Sequence, residues 1–197
     1  MKKIILSSIF MLSVFVGHAQ HATGSLTVQP KVGINLANYA GGEGGSNIRL
    51  GGVAGAELEY QISDIVSLSG GLLYSMQGAK GTTYTELGNV DATLKVNYLN
   101  VPVVCNIYVA RGFAVKLGVQ PGFKLDSKVT ASNYGVSATV DLPGLKSVDF
   151  SIPIGLSYEF SNFVIDARYN WGVSKVVDEA NDKNSVLQFT FGYKFAL

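Results

Sequence analysis

Lys31, Glu57, Glu59, Lys116, Lys124, Asp149, Glu159, Asp166, Arg168 and Lys194 each sit on the polar side of a stretch in which apolar and polar residues alternate. In an extended chain that alternation sends them to one face. Turned into an enclosed interior, such a face could line a narrow polar path or a proton-sensitive gate. The structural alternative is that the opposite charges neutralise one another, because an unpaired buried charge costs several kcal/mol. Neutralisation is the expectation, with pairings that spacing does not assign. Glu57, Glu59 and Glu159 fall near the same end of their stretches, so their clustering would demand Arg168 or a lysine beside them.

Catalysis by a serine or cysteine needs a base within reach. His18 falls in a leader-like segment and His21 just after it, ahead of the first alternating stretch, so neither serves the fold. Cys105 lies on an apolar face, where a thiol is unreactive. No catalytic residue and no enzyme activity are expected. Asp178, Glu179, Asn181, Asp182 and Asn184 offer oxygen ligands for calcium but lack the glycine-bearing EF-loop spacing, and read as a solvated acidic loop. Gly41-Gly42-Glu43-Gly44-Gly45 is followed by no Lys-Ser/Thr and no helix start, so it is a flexible loop, not a phosphate cradle. No cofactor or metal is implied.

What must position these residues begins after a leader. Met1-Lys2-Lys3 is basic, Ile4 to Val16 is apolar, and Gly17-His18-Ala19 is a small-residue cleavage site. A membrane helix is the competing reading, but the run is shorter than the ~20 apolar residues a span needs. Residues 1–19 are therefore expected to be a cleaved signal peptide and 20–197 a single domain. No Cys follows the apolar run, which excludes a lipoprotein anchor. Lys2 and Lys3 leave with the leader, so 13 of the 15 basic residues face 14 acidic ones. That balance, with no basic stripe, argues against a nucleic-acid partner. One cysteine forms no internal disulfide. Mean hydropathy of +0.26 is high for a secreted domain, yet no run after Val16 spans a bilayer as a helix. The apolar residues are dispersed at every second position instead.

Period two is legible in eight segments. Val28, Val32, Ile34 and Leu36 open the series, followed by Leu50 to Tyr60 and Val66 to Met76 on even positions. In the fourth, about 92 to 107, Leu94, Val96 and Tyr98 are expected outward, then Val101, Val103, Cys105 and Ile107, with a β-bulge near Leu99-Asn100 changing the parity. Phe113 to Leu125, Val148 to Phe160, Phe163 to Val173 and Leu187 to Phe195 complete the set. Connections alternate between short (62–65, 109–112, 161–162) and long (38–49, 79–91, 127–147, 174–185), as turns on one side of a membrane and loops on the other require. The 127–147 loop, with Val129, Tyr134, Val136, Val140 and Leu142, is expected to extend its strands as a hairpin.

A soluble ligand-binding barrel also shows period two, with its apolar face inward. Its second face would be rich in charge. Here that face carries Gly33, Gly55, Gly71, Gly118, Gly155, Gly172 and Gly192, suited to the crowded interior of a small closed barrel. The apolar face carries Tyr60, Tyr74, Phe160, Phe163, Trp171 and Phe195 near strand ends, the positions of an interfacial aromatic girdle. The fold predicted is all-β: an eight-stranded antiparallel closed transmembrane β-barrel with a packed polar interior.

His18-Ala19-Gln20, the stretch Leu72 to Gly78, Tyr98-Leu99-Asn100-Val101-Pro102 and Ala167-Arg168-Tyr169-Asn170-Trp171-Gly172 resemble the PorT-like small outer-membrane β-barrel family of Bacteroidota. The resemblance covers essentially the whole mature chain. It implies an outer-membrane location, lipid as the surrounding partner, and a place as accessory subunit of an envelope or secretion assembly. The family often has an acidic residue where this chain has Asn100, so a role resting on that carboxylate does not carry over. A stand-alone barrel serving surface interaction or membrane integrity is the alternative, and a narrow pore a third. No small-molecule substrate is identified.

Overall fold

The computed structural model describes residues 22–41, 47–85, 88–133, 136–142, 144–177 and 181–197. The predicted leader with His18, His21 beyond it, Gly42 to Gly45, Tyr134, and Asp178 and Glu179 lie outside the described residues.

The alternating segments become one antiparallel sheet: β1 (Leu26–Ala40), β2 (Asn47–Ser63), β3 (Val66–Thr85), β4 (Gly88–Asn100), β5 (Val103–Ala110), β6 (Phe113–Asn133), β7 (Val136–Asp141), β8 (Val148–Phe160), β9 (Phe163–Gly172), β10 (Lys183–Tyr193) and β11 (Phe195–Ala196). β4 and β5 make one strand of a ring, interrupted at Val101-Pro102, and β10 and β11 make another, interrupted at Lys194. β7 stands off the ring as a hairpin on β6. Counted this way the ring has eight strands, and the pairing of β1 with β10 from Lys31↔Gly192 to Ala40↔Lys183 closes it. Among the described residues no helix is long and apolar enough to cross a membrane.

Directly opposed residues lead around the ring from Leu26 through Tyr60, Leu68, Cys105, Leu117, Ile154, Tyr169 and Leu187, and return to β1 at Leu36, ten residues past the start. This stagger tilts the strands against the axis and, with eight of them, leaves an interior that side chains fill. Burial alternates along the ring strands. On β9, Phe163, Ile165, Tyr169 and Trp171 point out, and Val164, Asp166, Arg168 and Asn170 point in. Val32, Leu117 and Ile165 are more than half exposed, whereas Lys31, Glu57 and Arg168 are sealed inside. In water that arrangement would be inverted; in a bilayer it is the favourable one.

Three two-residue turns, Asp64-Ile65, Arg111-Gly112 and Ser161-Asn162, join β2 to β3, β5 to β6 and β8 to β9 at one end. Ser161 (φ 47°) and Asn162 (φ 73°) both lie in the left-handed region, the pairing a type I′ hairpin demands.

Two expectations are corrected. The fourth ring strand keeps its parity: Val96 and Tyr98 are buried, in line with Asn100, Val104 and Asn106, while Lys95 and Val103 face out. The bulge belongs to β6, where Leu125 is the extra residue opposite Asn97 and Tyr98. Val96 and Tyr98 are apolar yet inward because the outer mouth is filled with apolar side chains, which alternation alone does not distinguish from a lipid face. The 79–91 stretch is largely strand, β3 continuing to Thr85 and β4 starting at Gly88. Val129 and Val140 pair within the β6–β7 hairpin, as the hairpin expectation has it.

Candidate functional site

The charged residues divide by height into two networks. In the inner-middle one, Arg168 donates from Nη1 and Nη2 to Glu57 Oε1 and Oε2 at 2.7 and 2.8 Å. It also holds Asp166, two residues back on β9 and so on the same face, through Nε at 2.9 Å and Nη2 at 2.7 Å. Lys31 reaches Glu57 at 2.8 Å, and Lys116 reaches Asp166 at 2.7 Å. All five are buried. Glycines make the room: a Cβ at Gly155 would lie 2.9 Å from Arg168 Cγ, and one at Gly71 would lie 2.7 Å from Glu57 Cγ.

Nearer the short turns, Lys194 pairs with Glu59 at 2.9 Å and Glu159 at 2.8 Å. The Tyr108 hydroxyl donates to Glu59 Oε1 at 2.5 Å and accepts from Lys194 Nζ at 3.0 Å, and Ser67 Oγ donates to the same carboxylate at 2.6 Å. The first network has one cation in excess, the second one anion. Together they balance, four against four. Arg168 thus compensates Glu57, and Lys194 compensates Glu59 and Glu159.

Lys124 and Asp149 join neither network. Lys124 Nζ donates to the Leu145 carbonyl at 2.5 Å, and Asp149 Oδ1 accepts from Ser174 Oγ at 2.8 Å. Both anchor the outer segments 144–147 and 173–177, which also bond to each other from Lys146 N to the Val176 carbonyl at 2.9 Å. Leu145 and Val176 pack there on Val96 and Tyr98, with Tyr39, Leu94, Leu142 and Val177 around them. This apolar plug is what a reading of a uniformly polar interior misses. Its one signal in the sequence is that Val96 and Tyr98 share the parity of Asn100 and Asn106. Tyr108 has the inward parity expected of it and is absent from the set above because that set holds charged residues alone.

Between plug and charges lies a carboxamide layer. Gln188 stands directly opposite both Arg168 and Asn35 in the ladder and accepts from Asn170 at 3.4 Å. Asn35 donates to Ser75 Oγ at 2.9 Å. Cys105 is half-buried on the outward face, opposite Leu68 and Leu117. Among the described residues no three His, Cys, Asp or Glu side chains come together as a metal site. The lumen can neutralise, brace and exclude; Ser67 Oγ and the Tyr108 hydroxyl, both donating to Glu59, are tied into the second ion-pair network.

Likeness to known proteins follows the fold. Solved structures that the chain resembles include Neisserial surface protein A, at 16% identity over 86% of this chain and 97% of that one with a TM-score of 0.51. Ail, the attachment invasion locus protein of Yersinia pestis, is 17% identical over 88% of this chain and 100% of that one, with a TM-score of 0.48. No curated protein matches the sequence. The family model for the outer membrane protein beta-barrel domain matches residues 18–178. An antiparallel ring closed on itself, apolar without and charged within, agrees with that match, and the chain belongs to the outer membrane protein beta-barrel domain family.

Proposed function

We propose that the protein is a non-enzymatic constituent of the outer membrane that works by contact, as an accessory subunit of an envelope or secretion assembly. Residues 1–19 are its signal peptide, removed on export, and residues 20–197 its barrel. The observation that carries this reading is a division of the molecule. The lumen is occupied by balanced charges under an apolar plug, whereas β3, β4, β6 and β7 continue past the outer end of the barrel as a paired sheet. Lys80, Thr93, Thr130 and Thr139 are opposed in sequence across that sheet and give it a polar row. A filled interior supports neither turnover nor conduction, and a projecting sheet is a surface for a partner. The PorT-like motifs and their Bacteroidota setting support the same assignment.

A stand-alone surface or membrane-integrity barrel is the second reading. Its support is that β1 pairs with β10 and closes the ring without a strand from elsewhere. Gentle cross-linking of the tagged protein in its own outer membrane, then native mass in mild detergent, separates the two. A particle much heavier than one barrel, with defined companions, supports the accessory subunit. A lone barrel overturns it in favour of the second reading.

A further inference from the structure

Between the plug and the ion pairs, seven of the ring strands each turn one uncharged polar side chain inward at one level. Asn35 stands directly opposite Gln188, and Ser151 directly opposite Gln120. Diagonal neighbours on the same face complete the circuit: Gln188 to Asn170, Asn170 to Ser151, Gln120 to Asn100, and Asn100 to Ser75. Ser75 Oγ then accepts from Asn35 Nδ2 at 2.9 Å. None of the seven exposes more than 5% of its surface. Even so, Asn35 Oδ1, Gln120 Oε1, Asn170 Oδ1, Asn100 Nδ2 and Gln188 Nε2 meet no hydrogen-bond partner among the atoms of the protein.

Four of these five groups belong to carboxamides whose other end is tied to a neighbour. Asn35 Nδ2 also donates to the Met76 carbonyl at 3.1 Å, Gln120 Nε2 donates to Ser151 Oγ at 3.3 Å, and Asn170 Nδ2 to Gln188 Oε1 at 3.4 Å. Turning one of them end for end would free a group for each it satisfied. Buried polar groups in folded proteins are bonded to protein or to ordered water, and here the protein offers no further partner.

We propose that this layer is a closed binding site for a cluster of about three water molecules. A buried water makes about three hydrogen bonds. Three in a row spend four of their nine on one another, by that rough count, and keep five for the five orphan groups. The mixed character of those groups names the ligand. A cation would suit the three oxygens but not the two N–H groups. The charges below already balance, four against four, so an ion of either sign would stand uncompensated. The plug above, and Arg168 with its carboxylates below, close the layer to a larger solute.

Water-to-protein magnetisation transfer by NMR, on the protein in lipid nanodiscs, tests the site. The side-chain amide protons of Asn100 and Gln188 should show cross-peaks to water of opposite sign in the laboratory and rotating frames, which marks bound water and not proton exchange. The methyls of Leu117 and Leu156, which face lipid, should show none. Absence of cross-peaks at both amides, or peaks of one sign in both frames, overturns the site. Asn100→Leu, similar in shape and unable to hydrogen-bond, adds an independent measurement. In a hydrated layer it takes a partner from a water, and the urea midpoint falls. In a dry layer it removes an orphan group, so the midpoint holds or rises, and the proposal is overturned. Where that variant does not fold, the spectrum of the parent decides alone.

Discussion

Arg168 on β9 grips Glu57 on β2 with two parallel hydrogen bonds of 2.7 and 2.8 Å, spanning β10 and β1, the two strands whose pairing closes the ring. The ion pair therefore braces the seam from within. Replacing Arg168 by Met leaves Glu57 to Lys31 and Asp166 to Lys116 and strips the bidentate contact. Both carboxylates keep a lysine, so the loss is that of the charge-assisted hydrogen bonds, about 1.5–3 kcal/mol. Urea unfolding in lipid vesicles, followed through Trp171, should show the unfolding free energy fall by that much and the midpoint move to lower urea. Arg168→Lys should recover a part only, because an ammonium cannot reproduce the planar fork. An unchanged midpoint in Arg168→Met would remove the seam-bracing role.

How far this was legible in the sequence depends on which face a residue occupies. Lipid and a packed lumen make opposite demands, so Phe163, Ile165, Tyr169 and Trp171 against Asp166, Arg168 and Asn170 declare both faces of β9 at once. The partners of Arg168 were not legible, since Glu57 is 111 positions away and the ten-residue stagger decides which side chains meet. Val96 and Tyr98 were misread because an apolar side chain facing a plug looks the same as one facing lipid. Leu125 hid the bulge: an extra residue on one strand is visible only against its partner, Asn97-Tyr98 on the next.

The two faces differ in their tolerance of polarity. Leu117, 55% exposed on the lipid side, replaced by Arg should cost about 2–4 kcal/mol toward the bilayer midplane. Val164, buried on the lumen side, replaced by Thr should cost less than about 1 kcal/mol, because a hydroxyl there has polar neighbours to bond. The same vesicle unfolding experiment measures both. Equal costs would reverse the assignment of inside and outside.

The Ser161-Asn162 turn tests the hairpin logic. Asn162 holds φ at 73° and its Nδ2 donates to the Lys194 carbonyl at 3.1 Å, next to the second charge network. Asn162→Gly keeps the backbone and loses that bond, a cost of roughly 0.5–1.5 kcal/mol. Asn162→Val loses the bond and adds left-handed strain of about 1–3 kcal/mol. The ordering parent, Gly, Val in unfolding midpoint is the expected result, and a valine variant as stable as glycine would contradict the turn geometry.

Plug and ion pairs act as two barriers in series, and only their joint removal should open the barrel. Leu145 is buried in the plug and its carbonyl accepts from Lys124, so Leu145→Asp places a charge in the apolar cluster and frees the 144–147 segment. External protease should then cut within that segment while the strands below stay folded. Conductance in planar bilayers should remain silent, because Arg168, Glu57, Asp166 and Lys31 still fill the lumen beneath. Arg168→Met alone should be silent too, with the plug intact above it. The double variant Leu145→Asp with Arg168→Met is the one expected to pass ions. Current through either single variant would show that the barriers are not independent, and silence in the double variant would leave the carboxamide layer of Asn35, Gln188 and Asn170 as a third seal.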